Sequence, residues 1–140
     1  MALSEFTEQV AKKIRNNELR SGTPLPDMSS VIGEAALLID TAELLLRSVL
    51  ADVMAKRNAA TDAERAYWLS RQAHAAYICK EAVLRISEHT GASGGFLSNP
   101  IQRAVRDISI ATNHVVFAKA GRYGDLGKAM LGQRATNASD

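Results

Sequence analysis

Apolar residues recur along this chain at helical intervals almost from end to end. Phe6, Val10 and Ile14 stand four apart on one face, and Ser4 is placed to cap a first helix running to about Asn16 or Asn17. Residues 21–26, with Gly22 and two prolines, end that helix. Asp27 is a good N-cap, and from it Val31, Ile32, Ala35, Ile39, Ala42, Leu46, Val49 and Val53 form a sustained stripe that predicts a second helix to near Asn58. Thr61-Asp62-Ala63-Glu64 has the form of a capping box and opens a third helix reaching about Thr90. At 1.5 Å per residue these two helices are each about 45 Å long. The short link Asn58-Ala59-Ala60 forces them antiparallel. Asn99 as N-cap, Pro100 at the first helical position and Gln102 at the third predict a fourth helix from Pro100 to about Ala120. Beyond it Gly121, Gly124, Gly127 and Gly132 predict an irregular tail over 121–140. No repeat and no strand pattern interrupts the series.

The architecture that satisfies these periods is all-α: an up-down helical bundle of four helices, one short and three longer, over residues 1–120. Leu37, Leu38, Leu44, Leu45 and Leu50 fall off the main stripe of the second helix. They read either as a wide core stripe or as a second apolar face used between molecules, which would make a dimer or tetramer.

At 140 residues the chain is one domain with a single core. Lys and Arg number 17 against 15 Asp and Glu, a net +2, and the two signs are interspersed, so the electrostatic footprint of a nucleic-acid binder is missing. The first residues lack a basic segment followed by an apolar one, and no run of about 18 apolar residues occurs. A soluble, cytoplasmic protein that does not enter a membrane is expected. Cys79 is the only cysteine, which rules out an intramolecular disulfide.

Candidate chemistry concentrates in two places. The glycine-rich run Gly91-Ala92-Ser93-Gly94-Gly95-Phe96 feeds the fourth helix, where exposed amides suit an anion or a cofactor phosphate. The same glycines also serve as a C-cap at Gly91 and a plain turn between helices. Seven residues past Asp107, two helical turns on, His114 brings an imidazole that both donates and accepts near neutral pH. Its apolar neighbours equally fit a core or interface histidine bonded to a carbonyl. Arg103 and Asp107 are one turn apart and read as a local ion pair. His74 lies among small residues, with room for a ligand or for a packed neighbouring helix; His89, at a helix end, meets the helix dipole. No Glu-x-x-His or His-x-x-x-His pair points to a metal centre, and neither a Walker loop nor a Gly-x-Gly-x-x-Gly fingerprint is present.

Counted back from Pro100, the run Gly91-Ala92-Ser93-Gly94-Gly95, Pro100, Arg103, Arg106 and Asp107 resembles the acyl-CoA dehydrogenase segment in which a glycine turn leads to Pro-x-x-Arg-x-x-Arg-Asp. Where dehydrogenases place a catalytic Glu about eight residues after the Asp, position 115 is Val115. His114 just before it is more similar to the flavin-dependent monooxygenase branch of that superfamily. The resemblance extends upstream to Gly22-Thr23-Pro24-Leu25 and covers nearly the whole chain, but only about a third of a full-length member. It implies the C-terminal helical domain of a monooxygenase acting on an aromatic or apolar small molecule, self-associating through its bundle. His114 would be the acid/base, and the Gly91–Phe96 loop would lie near the phosphate of FMN or the pyrophosphate of FAD held with a neighbouring subunit. The all-helical N-terminal domain and the β-barrel that covers the flavin ring would come from elsewhere, such as a partner chain. Ser21 and Glu18 stand near the family's Phe and Arg positions, and a negative Glu18 would repel a phosphate. Two other functions fit the residues: a non-catalytic helical scaffolding module, and a stand-alone bundle with a small-molecule pocket around His74 and His114.

Overall fold

The computed structural model describes residues 1–19, 27–91 and 96–132. Five α-helices follow in order: α1 (Ala2–Leu19), α2 (Ser29–Lys56), α3 (Asp62–Glu88), α4 (Pro100–Asn113) and α5 (Lys119–Met130). Short 3-10 turns occupy Arg57–Ala59 and Val115–Phe117, and no strand occurs among the described residues. The helices start where the caps lie. Asp27 Oδ1 accepts from the Ser29 amide at 2.8 Å, and Asn99 Oδ1 accepts from the Ile101 amide at 2.9 Å. The capping box closes in both directions, Thr61 N donating to Glu64 Oε2 at 2.8 Å and Glu64 N donating to Thr61 Oγ1 at 3.3 Å. Ser4 does not cap α1. It lies within that helix and its hydroxyl donates back to the Met1 carbonyl.

Two expectations are corrected in the C-terminal third. The fourth helix stops at Asn113, seven residues short of Ala120, and residues 121–130 of the expected irregular tail are helical, so the described residues form five helices and not four. The first change has a local cause. His114 takes an extended ψ of 141° and its ring nitrogen caps the following turn, so a side chain competes with the helix for a backbone amide. The second is tertiary. Ser70 Oγ lies 2.7 Å from the Arg122 carbonyl and His74 Nδ1 lies 2.6 Å from Tyr123 Oη. These bonds to α3 hold a glycine-bearing segment helical against its low intrinsic propensity.

The chain divides into two compact units, one of residues 1–39 and 79–109 and one of residues 40–78 with the stretch from 110 onward. The core of the first is Phe6, Ala35, Ile86 and Ile101, with Leu3, Val10, Val31 and Ile32 packed against it. Arg85 reaches Glu34 at 3.2 Å across α3 and α2. In the second unit Val49, Ala60 and Trp68 form a cluster, beside the buried Ala42, Ala66, Ala73 and Ala75. There Asp52 pairs with Arg71 and Lys56 with Glu64. As α2 advances its partners on α3 retreat, which is the antiparallel pairing expected from the short link. No described helix is long and apolar enough to cross a membrane.

Candidate functional site

At the start of α4, in the first unit, Gly91 follows the end of α3 with φ +71°, a backbone state that glycine adopts without penalty. A Cβ there would meet nothing within 4 Å, so the requirement is conformational and not spatial. Ala92, Ser93, Gly94 and Gly95 lie outside the described residues. Phe96 is exposed, with 66 % of its surface accessible. A cleft of about 600 Å³ opens beside it, lined by Met1, Leu97, Ser98, Asn99, Pro100, Arg103 and Arg106. Arg103 approaches Asp107 at 3.6 Å with both side chains exposed, the local ion pair that their spacing suggests. Arg106 has no ion-pair partner among the described residues. The α4 N-terminus and two guanidinium groups thus line one opening, a combination suited to an anion.

In the second unit His114 stands at the α4–α5 junction, exposed and outside the hydrophobic core. Its Nδ1 accepts from the Val116 amide at 3.3 Å. Nε2 has no partner among the described residues. The junction is tied on several sides. Phe117 N donates to His114 O at 2.9 Å and Ala118 N to Val115 O at 3.1 Å, while Arg122 Nε donates to Val116 O at 3.0 Å. Tyr77 Oη reaches the Thr112 carbonyl at 3.5 Å. The Lys119 ammonium sits 5.1 Å from the Tyr77 ring centre and 5.5 Å from that of Tyr123, a cation held against two aromatic faces.

Of the other histidines, His74 lies against Tyr123, its Nδ1 2.6 Å from the phenol oxygen. His89 Nδ1 is 2.9 Å from the Arg85 carbonyl at the end of α3, and since a carbonyl only accepts, this nitrogen carries the proton. Burial pushes the Cys79 thiol up, away from a reactive thiolate. No group of metal-ligating side chains occurs among the described residues. Glu18's side chain and Ser21 lie outside the described part. Sequence reasoning missed Ser70, Arg122, Lys119 and Tyr123. Three of these belong to α5, whose glycines read as loop; the available signal was the apolar and aromatic content of Tyr123, Leu126 and Met130 between them.

Comparison with known proteins agrees with this organisation. Residues 1–119 match the family described as acyl-CoA dehydrogenase, C-terminal domain. The oxygenase component of an FADH(2)-dependent resorcinol hydroxylase from Rhizobium sp. (strain MTP-10005) is 29 % identical over 142 residues, covering 94 % of this chain and 35 % of that protein. The crystal structure of the HsaA monooxygenase from M. tuberculosis superimposes with a TM-score of 0.82 at 25 % identity, covering 96 % of this chain and 36 % of that one. The chain therefore spans about a third of the length of both relatives. Its five helices, the glycine turn before α4 and the extent of these matches lead to one assignment: the chain belongs to the acyl-CoA dehydrogenase C-terminal domain family.

Proposed function

We propose that this chain is the oligomer-forming, flavin- and substrate-lining part of a flavin-dependent monooxygenase that acts on an aromatic or other apolar small molecule. His114 exchanges a proton or hydrogen bond with the reacting molecule, and the Gly91–Phe96 loop lies near the flavin phosphates. The observation that carries the reading is the imidazole of His114, exposed and with one ring nitrogen unengaged, in a chain similar almost end to end to two oxygenases. A histidine serving only the core would be buried with both polar edges satisfied.

The described residues fit part of a flavin. The α4 N-terminus with Ser98, Arg103 and Arg106 suits a phosphate of FMN or FAD. Nothing in the described part encloses an isoalloxazine ring, which agrees with ring walls contributed by the rest of a longer enzyme or by a partner chain. Bound there, the flavin would supply the redox chemistry with dioxygen. The isolated chain should accordingly bind FMN or FAD at best with a Kd of tens of micromolar. A tight stoichiometric complex in a flavin fluorescence titration would mean that this domain builds a complete flavin site by itself.

Self-association rests on α2, where Leu37, Leu44, Leu50 and Met54 are 69, 61, 62 and 57 % exposed. That many accessible large apolar side chains on one helix favour an interface with a second copy. Sedimentation at micromolar concentration should give a dimer or tetramer, and a monomer of about 15 kDa would remove this part of the reading. The same exposed residues also serve a scaffolding module without chemistry. Turnover separates the two: in the complete enzyme His114→Ala should lower it by roughly 10²-fold or more, the usual contribution of an acid/base group. Unchanged turnover would favour the scaffold.

A further inference from the structure

The two histidines whose ring contacts are unambiguous use Nδ1 in opposite ways. His89 Nδ1 faces the Arg85 carbonyl and must donate. His114 Nδ1 faces the Val116 amide and must accept, since a backbone N–H has no lone pair to offer. A neutral imidazole that accepts at Nδ1 carries its proton on Nε2. The free edge of His114 is therefore an N–H. The Val116 unit that imposes this is itself held: its carbonyl accepts from Arg122 Nε at 3.0 Å, and the Arg122 carbonyl in turn lies 2.7 Å from the hydroxyl of the buried Ser70 on α3. A chain of hydrogen bonds thus runs from the α3 interior through α5 to the turn that His114 caps.

From this we infer that Arg122 is a positioning residue for His114. By clamping Val116 it fixes the imidazole as the Nε2–H tautomer, so that neutral His114 meets the reacting molecule as a hydrogen-bond donor and not as a base. This rests on the proposed role of His114 only for its functional half; the tautomer and the clamp are properties of the 140-residue chain. The charge of Arg122 is incidental, because one nitrogen at the ε position makes the bond. Glutamine places an amide nitrogen at the same distance along its side chain. Methionine keeps the length and offers no donor.

The test is nitrogen NMR of the 140-residue chain labelled with ¹⁵N-histidine, with pH raised until the ring nitrogens stop shifting. In the unaltered chain His114 should give the fixed Nε2–H pattern and His89 the opposite Nδ1–H pattern. In Arg122→Met the His114 nitrogens should move toward the averaged positions of a free imidazole while those of His89 stay. Arg122→Gln should restore the original pattern. A wild-type His114 already averaging between tautomers overturns the inference without any variant, and so does an Arg122→Gln chain that behaves like Arg122→Met. The functional half is tested in the complete enzyme with two replacements of His114. His114→Asn keeps an acceptor for the Val116 amide but has no donor at the Nε2 position, whereas His114→Gln supplies one. A donor role predicts at least tenfold more turnover for His114→Gln than for His114→Asn, and equal loss in both sinks it. If His114→Ala leaves turnover unchanged, the proposed function falls while the tautomer result stands.

Discussion

In the unit of residues 1–39 and 79–109 the fully buried side chains include Phe6, Ile86 and Ile101, all large and apolar. Ala35, Ala82 and Thr90 lie buried beside them, whereas in the unit of residues 40–78 and the stretch from 110 the buried set is Ala42, Ala73, Ala75, Ser70 and Thr112 beside Val49, Trp68 and Ile78. Large apolar groups stabilise in proportion to the area they remove from water, with little directional demand. Small residues contribute less area but let backbones approach, and hydroxyls between them form bonds of defined length and angle. The second unit is the one in which Ser70 meets the Arg122 carbonyl, Tyr123 meets His74 and Arg122 meets Val116. To its apolar cluster this unit adds hydrogen bonds that fix the turn around His114.

The largest effect that would break this contrast is in the first core. Phe6→Ala should lower unfolding free energy by about 3–5 kcal/mol in a denaturant titration, from lost burial and the cavity left behind. A loss under about 1 kcal/mol would mean that the apolar core does not carry that unit. In the second unit Ser70→Ala should cost less, about 1 kcal/mol, because it removes little volume and one hydroxyl that lies 2.7 Å from both the Ala66 and the Arg122 carbonyls. Its amide-exchange protection should fall in α5 before anywhere else, and uniform loss would contradict a local tie. Asn99→Ala, which removes the N-cap of α4, should cost about 1 kcal/mol. His114→Ala should change stability by no more than about 0.5 kcal/mol, as expected of an exposed side chain outside a core, and a loss of several kcal/mol would return it to a packing role.

The smallest effect expected is electrostatic. The Lys56 ammonium and then the Thr61 amide hold the exposed Glu64 carboxyl well below its ordinary value of 4.5, down to about 2. Because the folded pKa is depressed, the contribution is fully present above about pH 4.5 and is lost as pH falls toward 2. Helicity followed from pH 5 down to 2 should therefore drop slightly less in Glu64→Gln than in the unaltered chain. The exposure of this carboxyl keeps the difference small.

Helix starts were legible because caps are local. Asp27, Thr61 with Glu64, and Asn99 each satisfy amides two or three residues away, and all three act where their types and spacing place them. The α2 stripe was legible in its centre, where Ala35, Ala42 and Val49 are buried, but not at its margin, where Leu46 and Val53 remain 45 and 37 % exposed. Periodicity reports which residues share a face and not how far a neighbouring helix covers it.

By itself, then, the sequence determined the all-α class, the starts of α2, α3 and α4 and the conformation at Gly91, since each follows from interactions within a few residues. The family, too, was readable from the glycine turn and the arginines that follow it. Only the tertiary structure decided that Gly121, Gly124 and Gly127 lie in a helix. The determining bonds join residues far apart in the chain, Ser70 to Arg122 and His74 to Tyr123, separated by 52 and 49 positions. No local pattern encodes such pairs. They form because burial brings α3 and α5 within hydrogen-bond distance inside one unit, where polar groups removed from water must find partners.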